Sequence, residues 1–204
     1  MGNHSNVSEY YDLEGEIYEA DAANAEYQAP QNFVTEIKPF IKNANMVLDI
    51  GIGTGLSSLV LVSEGKQVCG LDLSKKLLIY AKRRKPANLI LGDLTKPLPF
   101  RNSSFDLVAS CATLNYYNDI GKPLQEMQRI TKAGGIIAFT TSKTGLHLQT
   151  PKRSIRFFSH NSSYLEEHLD EADLILYTDI LAHLLEGKQI YYSVYVFKKW
   201  NGKN

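Results

Sequence analysis

The stretch Val47-Leu48-Asp49-Ile50-Gly51-Ile52-Gly53-Thr54-Gly55 decides how this chain is read. Val47, Leu48 and Ile50 make an apolar run that suits a buried strand, glycines follow at alternate positions, and Leu56 to Val62 resume a helical apolar pattern. Strand, glycine loop and helix in that order form a seat for a nucleotide-like ligand. Glycine permits backbone angles and a close ligand approach that a Cβ would obstruct, while the free N–H groups of the helix start face the bound molecule. Asp49, just ahead of the loop, narrows the ligand, because a carboxylate there suits a cationic amine better than a phosphate.

The dinucleotide fingerprint G-x-G-x-x-G needs glycine or alanine three places after its second glycine, and Leu56 stands there. This argues against a nucleotide-dependent oxidoreductase. What remains, D-x-G-x-G-x-G, resembles motif I of the class I S-adenosylmethionine-dependent methyltransferases. The resemblance implies a Rossmann-like α/β three-layer sandwich, with a seven-stranded, mostly parallel sheet and an antiparallel last strand. It also implies S-adenosyl-L-methionine as cofactor, S-adenosyl-L-homocysteine as product, and Asp49, Gly51, Gly53, Thr54 and Gly55 around the methionine end.

Other strand ends carry the remaining motifs. Residues 67 to 71 read as a second strand, and Asp72 at its end lies 21 positions after Gly51, close to the spacing at which an acid holds ribose hydroxyls. Leu73 follows it. Asn88 to Leu91 read as a third strand, followed by Gly92-Asp93-Leu94. The resemblance gives Asp93 the adenine amino group and Leu94 a backbone contact to the ring. Residues 105 to 117, FDLVASCATLNYY, read as a fourth strand whose end faces the methyl group in the family, with Cys111 there in packing and a backbone cofactor contact. Residues 124 to 135 are similar to the family's L-x-E-x-x-R-x-x-K-P-G-G, with Ala133 in place of proline. The resemblance covers about residues 9 to 142.

The expected organisation is a helix from Gln31 to Ile41, five strand and helix alternations to Ser142, a helix from Ser162 to Glu171, and strands over 174–178 and 189–198. Alternation implies a parallel sheet covered on both faces, with strand ends carrying Gly51, Asp72, Asp93 and Cys111 along one edge. Residues 8–27 read as a tyrosine-rich helix. Within it, Tyr11 to Glu19 is similar to a Y-D-x-x-A-x-x-Y-E lid segment of small-molecule members, with Gly15 for the alanine. Tyr11 and Tyr18, seven apart, share one helical face, either as cofactor contacts in a lid or as core packing.

A chain of 204 residues with 44% hydrophobic content and no linker-like composition shift reads as a single domain. Its 22 basic and 22 acidic residues give no positive field to gather nucleic acid or an anionic membrane, so a small-molecule substrate fits better. No apolar run reaches the length of a membrane span, no signal-peptide core is visible, and Asn6 breaks the myristoylation motif begun by Gly2. Cys69 and Cys111 read as buried reduced thiols, which points to the cytoplasm, and the five histidines show no metal-ligand spacing, so no metal is expected.

Methyl transfer from a sulfonium asks the protein mainly for alignment, so no activated nucleophile is required. Asn115, Tyr116 and Tyr117 are the substrate-facing candidates, either assisting a proton or lining an apolar acceptor pocket. No catalytic base is assigned. The fourth strand lacks the N-P-P-Y of many base-amino methyltransferases and the acids of the magnesium-dependent catechol type. Residues 143–161, with His147, Lys152, Arg153, Arg156, Phe157 and Phe158, read either as a cap favouring an acidic acceptor or as a solvated connection. The expected function is methyl transfer to a small molecule. A protein or peptide acceptor, and a catalytically silent cofactor-binding partner, remain as alternatives.

Overall fold

The computed structural model describes residues 26–150, 153–185 and 187–202, with the side chains of residues 146–155 outside that description. Helix α1 (Ala29–Ile37) opens on Pro30, whose fixed φ and missing N–H suit a first turn. Pro39 then ends the regular ladder, and the chain leaves through a 3-10 turn at Lys38–Phe40. The expected helix at 31–41 is therefore shifted and shortened.

Strands β1 (Met46–Ile50), β2 (Gln67–Asp72) and β3 (Asn88–Leu91) are joined by α2 (Leu56–Ser63) and α3 (Lys75–Ala81). Next come β4 (Phe105–Ser110), α4 (Gly121–Ile130) and β5 (Thr131–Ser142). The chain continues through β6 (Leu146–Thr150), β7 (Arg153–Phe157), α5 (Ser162–His168), β8 (Ala172–Leu185) and β9 (Lys188–Lys199).

Seven strands form one sheet in the order β3-β2-β1-β4-β5-β9-β8. β1 to β5 run parallel, and β9 is inserted antiparallel between β5 and β8. Strand order reverses between β1 and β4, and such a switch point opens a crevice at the carboxyl ends of the strands.

Period-two alternation assigns each strand to two apolar layers. Val47, Leu107, Ala138 and Val196 face α1 and α2 with Phe33, Ile37 and Leu61. Leu48, Val108, Phe139 and Phe197 face α4 and α5 with Leu124, Met127 and Leu165. Each large apolar side chain buried in this way contributes about 1.5–3 kcal/mol relative to exposure.

Further sequence expectations change. The link between β3 and β4 holds no helix, because Pro97 and Pro99 interrupt it. Arg129 instead ties it down, donating to the carbonyls of Leu98 and Phe100 and to Asn102 Oδ1. β4 stops at Ser110 rather than running to 117, since Ala112 takes φ 58° and its N–H donates to Thr140 Oγ1 at 2.8 Å. β8 spans 14 residues rather than five, because it pairs with β9 almost end to end. The stretch at 143–161 contains an antiparallel hairpin, β6 with β7. The helix after it closes at His168. The expected helix at 8–27 lies almost wholly outside the described residues.

Candidate functional site

The glycine loop is rigid for reasons each residue supplies. Gly51 has φ 69°, and a Cβ there would collide with the Thr113 side chain, so glycine is required on both counts. Its N–H and that of Ile52 donate to the Leu71 carbonyl at 2.7 and 3.1 Å. Gly55, at φ 87°, begins α2 without a side-chain cap, leaving the first-turn N–H groups for other partners. Arg84 fixes the far side by donating to the Thr54 carbonyl at 2.7 Å.

Asp72 closes the loop from β2. Its Oδ2 accepts from Gly53 N at 2.7 Å and its Oδ1 from Ser74 N at 2.8 Å, while Ser74 Oγ caps α3 through Leu77 N. Asp49 lies on the α2 side of β1, where the Ser57 and Ser58 hydroxyls donate to Oδ2 at 2.8 and 2.6 Å. Its Oδ1 is buried without a partner among the described residues. Burial pushes the Asp49 pKa up to about 6 against those two hydroxyls, and the Asp72 charge adds to the rise.

Above the loop lies a cleft of about 810 Å³, counting the open space at its mouth. Gly51, Gly53, Thr54, Asp72, Leu73, Leu94, Cys111, Tyr116 and Tyr117 all line it, so residues from four strand ends meet in one place. Asp49 and Gly55 lie beneath and behind the loop rather than in the lining. Asp93 Oδ1 accepts from Thr95 N and Oγ1 at 2.8 and 2.7 Å, and the residues on either side of it, Gly92 and Leu94, line the cleft in its place. Asn115 is fully buried and outside the lining. Tyr11 and Tyr18 lie outside the described residues, although Tyr27, the last residue of the 8–27 segment, does reach the cleft.

Sequence reasoning missed several walls. Ile52, Leu71, Leu77 and Thr113 line the cleft, and Ser57 and Ser58 hold Asp49. Leu77 and Thr113 carried no motif, but Ser57 and Ser58, in the first turn of α2, could have been read as partners for a buried acid. Burial pushes the Cys111 thiol up, as does the nearby Asp49 charge. Burial likewise raises the Tyr117 phenol, helped by Asp93 and Asp72. Both groups are therefore protonated at neutral pH, and Cys111 is no nucleophile. Among the described residues, no group of three His, Cys, Asp or Glu side chains is arranged to hold a metal.

A parallel sheet with a switch point, a reversed seventh strand and a glycine loop tied to an acid at the end of β2 define the class I S-adenosylmethionine-dependent methyltransferase fold. Residues 48–139 match the family model described as a methyltransferase domain. Over 159 residues the chain is similar to malonyl-[acyl-carrier protein] O-methyltransferase of Pectobacterium atrosepticum, at 32% identity, covering 71% of this chain and 63% of that protein. It is also 44% identical over 90 residues to demethylmenaquinone methyltransferase of Renibacterium salmoninarum, covering 44% of this chain and 38% of that one. The chain spans less than two thirds of the length of these curated relatives. Magnesium protoporphyrin IX methyltransferase of Synechocystis, solved with bound S-adenosylhomocysteine, shares the fold. Its TM-score is 0.73 at 14% identity, over 97% of this chain and 100% of that one. The chain thus has the class I methyltransferase fold, and its residues 48–139 are similar to a methyltransferase domain.

Proposed function

We propose that this chain is an S-adenosylmethionine-dependent methyltransferase that acts on a small-molecule acceptor as a single domain. The observation that carries the reading is the convergence of Gly51, Gly53, Asp72 and Leu94 on one cleft that also holds Tyr116 and Tyr117. The donor set fits the cofactor. Asp72 is a carboxylate that lines the cleft at the end of β2, where ribose hydroxyls would meet it. The loop backbone at Gly53 and Thr54 offers a close approach for the amino-acid end, and the buried orphan Asp49 Oδ1 is an acceptor suited to an ammonium. Leu73, Leu77 and Leu94 give the adenine ring an apolar slot.

Bound there, the cofactor supplies a methyl group made electrophilic by its sulfonium, and transfer is an in-line displacement. The chain's own residues bind and align. The glycine loop and Asp72 fix the cofactor end, the Cys111–Thr113 turn forms the floor, and Tyr116 and Tyr117 wall the acceptor side. Tyr117, held as a neutral phenol, donates a hydrogen bond rather than accepting a proton. Tyr11 and Tyr18 are assigned to a lid over the cofactor, and residues 143–161 to a cap on the acceptor side. No helix among the described residues is long and apolar enough to cross a membrane, and the two free buried cysteines suit a cytoplasmic site of action.

Calorimetry tests the reading directly. S-adenosylhomocysteine binds with micromolar affinity and NAD does not; the reverse result overturns the assignment. Turnover against an acceptor panel, including a malonyl carrier protein because one relative is named for that acceptor, separates an enzyme from a silent binder.

A further inference from the structure

The charge balance of the whole chain conceals a local excess. Six of the 22 basic residues fall between Lys75 and Lys85, and no acid occurs from Ser74 to Gly92. These residues form α3, the 3-10 turn that extends it over Lys82–Arg84, and the left-handed residue Lys85. Helical periodicity divides the segment into two faces. Leu77, Leu78 and Ala81 are buried, with Leu78 and Ala81 in a cluster with Ile52 and Leu89. Arg84 also turns inward, donating to the Thr54 carbonyl at 2.7 Å. Lys75, Ile79, Lys82 and Arg83, spaced i, i+4, i+7 and i+8, share the other face, and all four are exposed.

The centre of this outer face is apolar and its rim is cationic. Ile79 is 60% exposed, with Lys75 one turn before it and Lys82 and Arg83 one turn after. Leu91, at the end of the edge strand β3, is 59% exposed. Side chains two apart in a strand share a face, so Leu91 lies on the side of the sheet where Leu89 meets α3. Among the described residues, no ion pair involves Lys75, Lys82, Arg83 or Lys85, so their mutual repulsion is not offset within that part of the chain. Lys85 adds to the repulsion from a position that favours glycine, since it closes the turn at φ 55° with its N–H on the Lys82 carbonyl at 3.2 Å.

We propose that the outer face of α3 is a docking surface for an acidic partner protein, which sets carboxylates over Lys75, Lys82 and Arg83 and an apolar side chain against Ile79. An apolar centre inside a charged rim is the ordinary anatomy of a protein–protein contact, and the rim charges steer the partner and fix its register. Two other anionic partners fit less well. A bilayer surface takes a helix with a broad apolar face, whereas Leu77, Leu78 and Ala81 point into the core. Single-stranded nucleic acid stacks on open aromatic rings, and the Tyr80 ring of this segment is covered by the Arg83 guanidinium at 5.0 Å. None of Lys75, Ile79, Lys82 and Arg83 lines the cleft, so docking stands apart from the methyl-transfer reading. The helix is nevertheless tied to the cofactor loop at both ends, through Ser74 N on Asp72 and through Arg84 on Thr54, so a seated partner rests on the scaffold that carries the loop.

The test uses the whole chain and a fluorescein-labelled amphipathic helical peptide of Glu and Leu as the probe, followed by anisotropy and by amide chemical-shift mapping. Poly-glutamate, a single-stranded RNA and phosphatidylserine vesicles serve as comparison probes. Expected is saturable peptide binding that weakens with salt, shift changes gathered on residues 75–91, and a loss of about tenfold or more in K75E/K82E/R83E. I79S also weakens the peptide, K75R/K82R retains it, and poly-glutamate, which lacks the apolar anchor, binds less tightly than the peptide. Melting temperature and S-adenosylhomocysteine affinity stay at wild-type values in these variants, because every substituted side chain is exposed and outside the cleft. Should the triple reversal unsettle the fold, I79S and the shift map decide. Overturning results are no peptide binding, binding undiminished by charge reversal or by I79S, shift changes elsewhere on the chain, or tighter binding of poly-glutamate, RNA or vesicles than of the peptide. Failure of S-adenosylhomocysteine to bind wild type would sink the cofactor reading alone, so the two failures are told apart.

Discussion

Asp72 Oδ2 accepts a hydrogen bond from the Gly53 amide at 2.7 Å, across 19 residues of sequence. One carboxylate therefore fixes the glycine loop of β1 while lining the cleft from β2, and it cannot be altered without affecting both tasks.

Asp72→Ala removes a charged acceptor from the loop and from the ribose position. Hydrogen bonds to charged groups are worth about 1.5–3 kcal/mol, so affinity for S-adenosylhomocysteine falls roughly 10- to 100-fold. Isothermal titration measures this, and an affinity within twofold of wild type would remove Asp72 from the site.

Gly51→Ala places a Cβ against Thr113 at φ 69°, whereas Gly65→Ala meets open space at φ 78°. Backbone strain of about 1–3 kcal/mol is common to both variants. Only Gly51→Ala adds a collision, and only it abolishes cofactor binding. Chemical denaturation and calorimetry on the pair separate strain from crowding.

The raised Asp49 pKa carries a pH dependence of definite sign. Unfolded, the carboxyl ionises near 3.8; folded, it does so near 6, so ionising it in the fold opposes stability. The stability that its neutral form confers is complete below about pH 3.8 and is lost as pH rises through about 6. Asp49→Asn escapes that loss, so its stability relative to wild type rises across this window by about 2–3 kcal/mol and levels off above it. Melting temperatures of both proteins from pH 4 to 8 show whether the gap widens; a constant gap refutes the assignment.

Arg129 holds Glu126 through two hydrogen bonds at 2.6 and 2.8 Å, and Glu126 Oε2 accepts from Leu98 N at 2.7 Å. Arg129→Ala frees the link between β3 and β4 and costs about 1–2 kcal/mol, discounted because the pair is partly exposed. Amide exchange should quicken at residues 98–102 while β1 and β2 remain protected. Unchanged exchange there would mean that packing alone holds the link.

The first three strands were legible because each of them ends at a residue with a local chemical signature. Gly51, Asp72 and Gly92 mark those ends, and β3 occupies the expected residues 88–91. Residues 105–117 were misread at their end, because the positive φ of Ala112 depends on Thr140, a partner 28 residues away. The helix expected between β3 and β4 failed for a similar reason, as the ties from Arg129 substitute for local structure.

By itself the sequence determined the strand–loop–helix unit, the acid at the end of β2 and the alternation that makes the sheet parallel, because periodicity and glycine geometry act over a few residues. Tertiary structure alone decided that Asp49 lies beneath the loop with Ser57 and Ser58, that Asp93 bonds into its own turn, and that the Asn115 side chain is fully buried. Those outcomes depend on which distant segments pack together, and only the folded chain sets the burial and hydrogen-bond partners that give a side chain its chemistry.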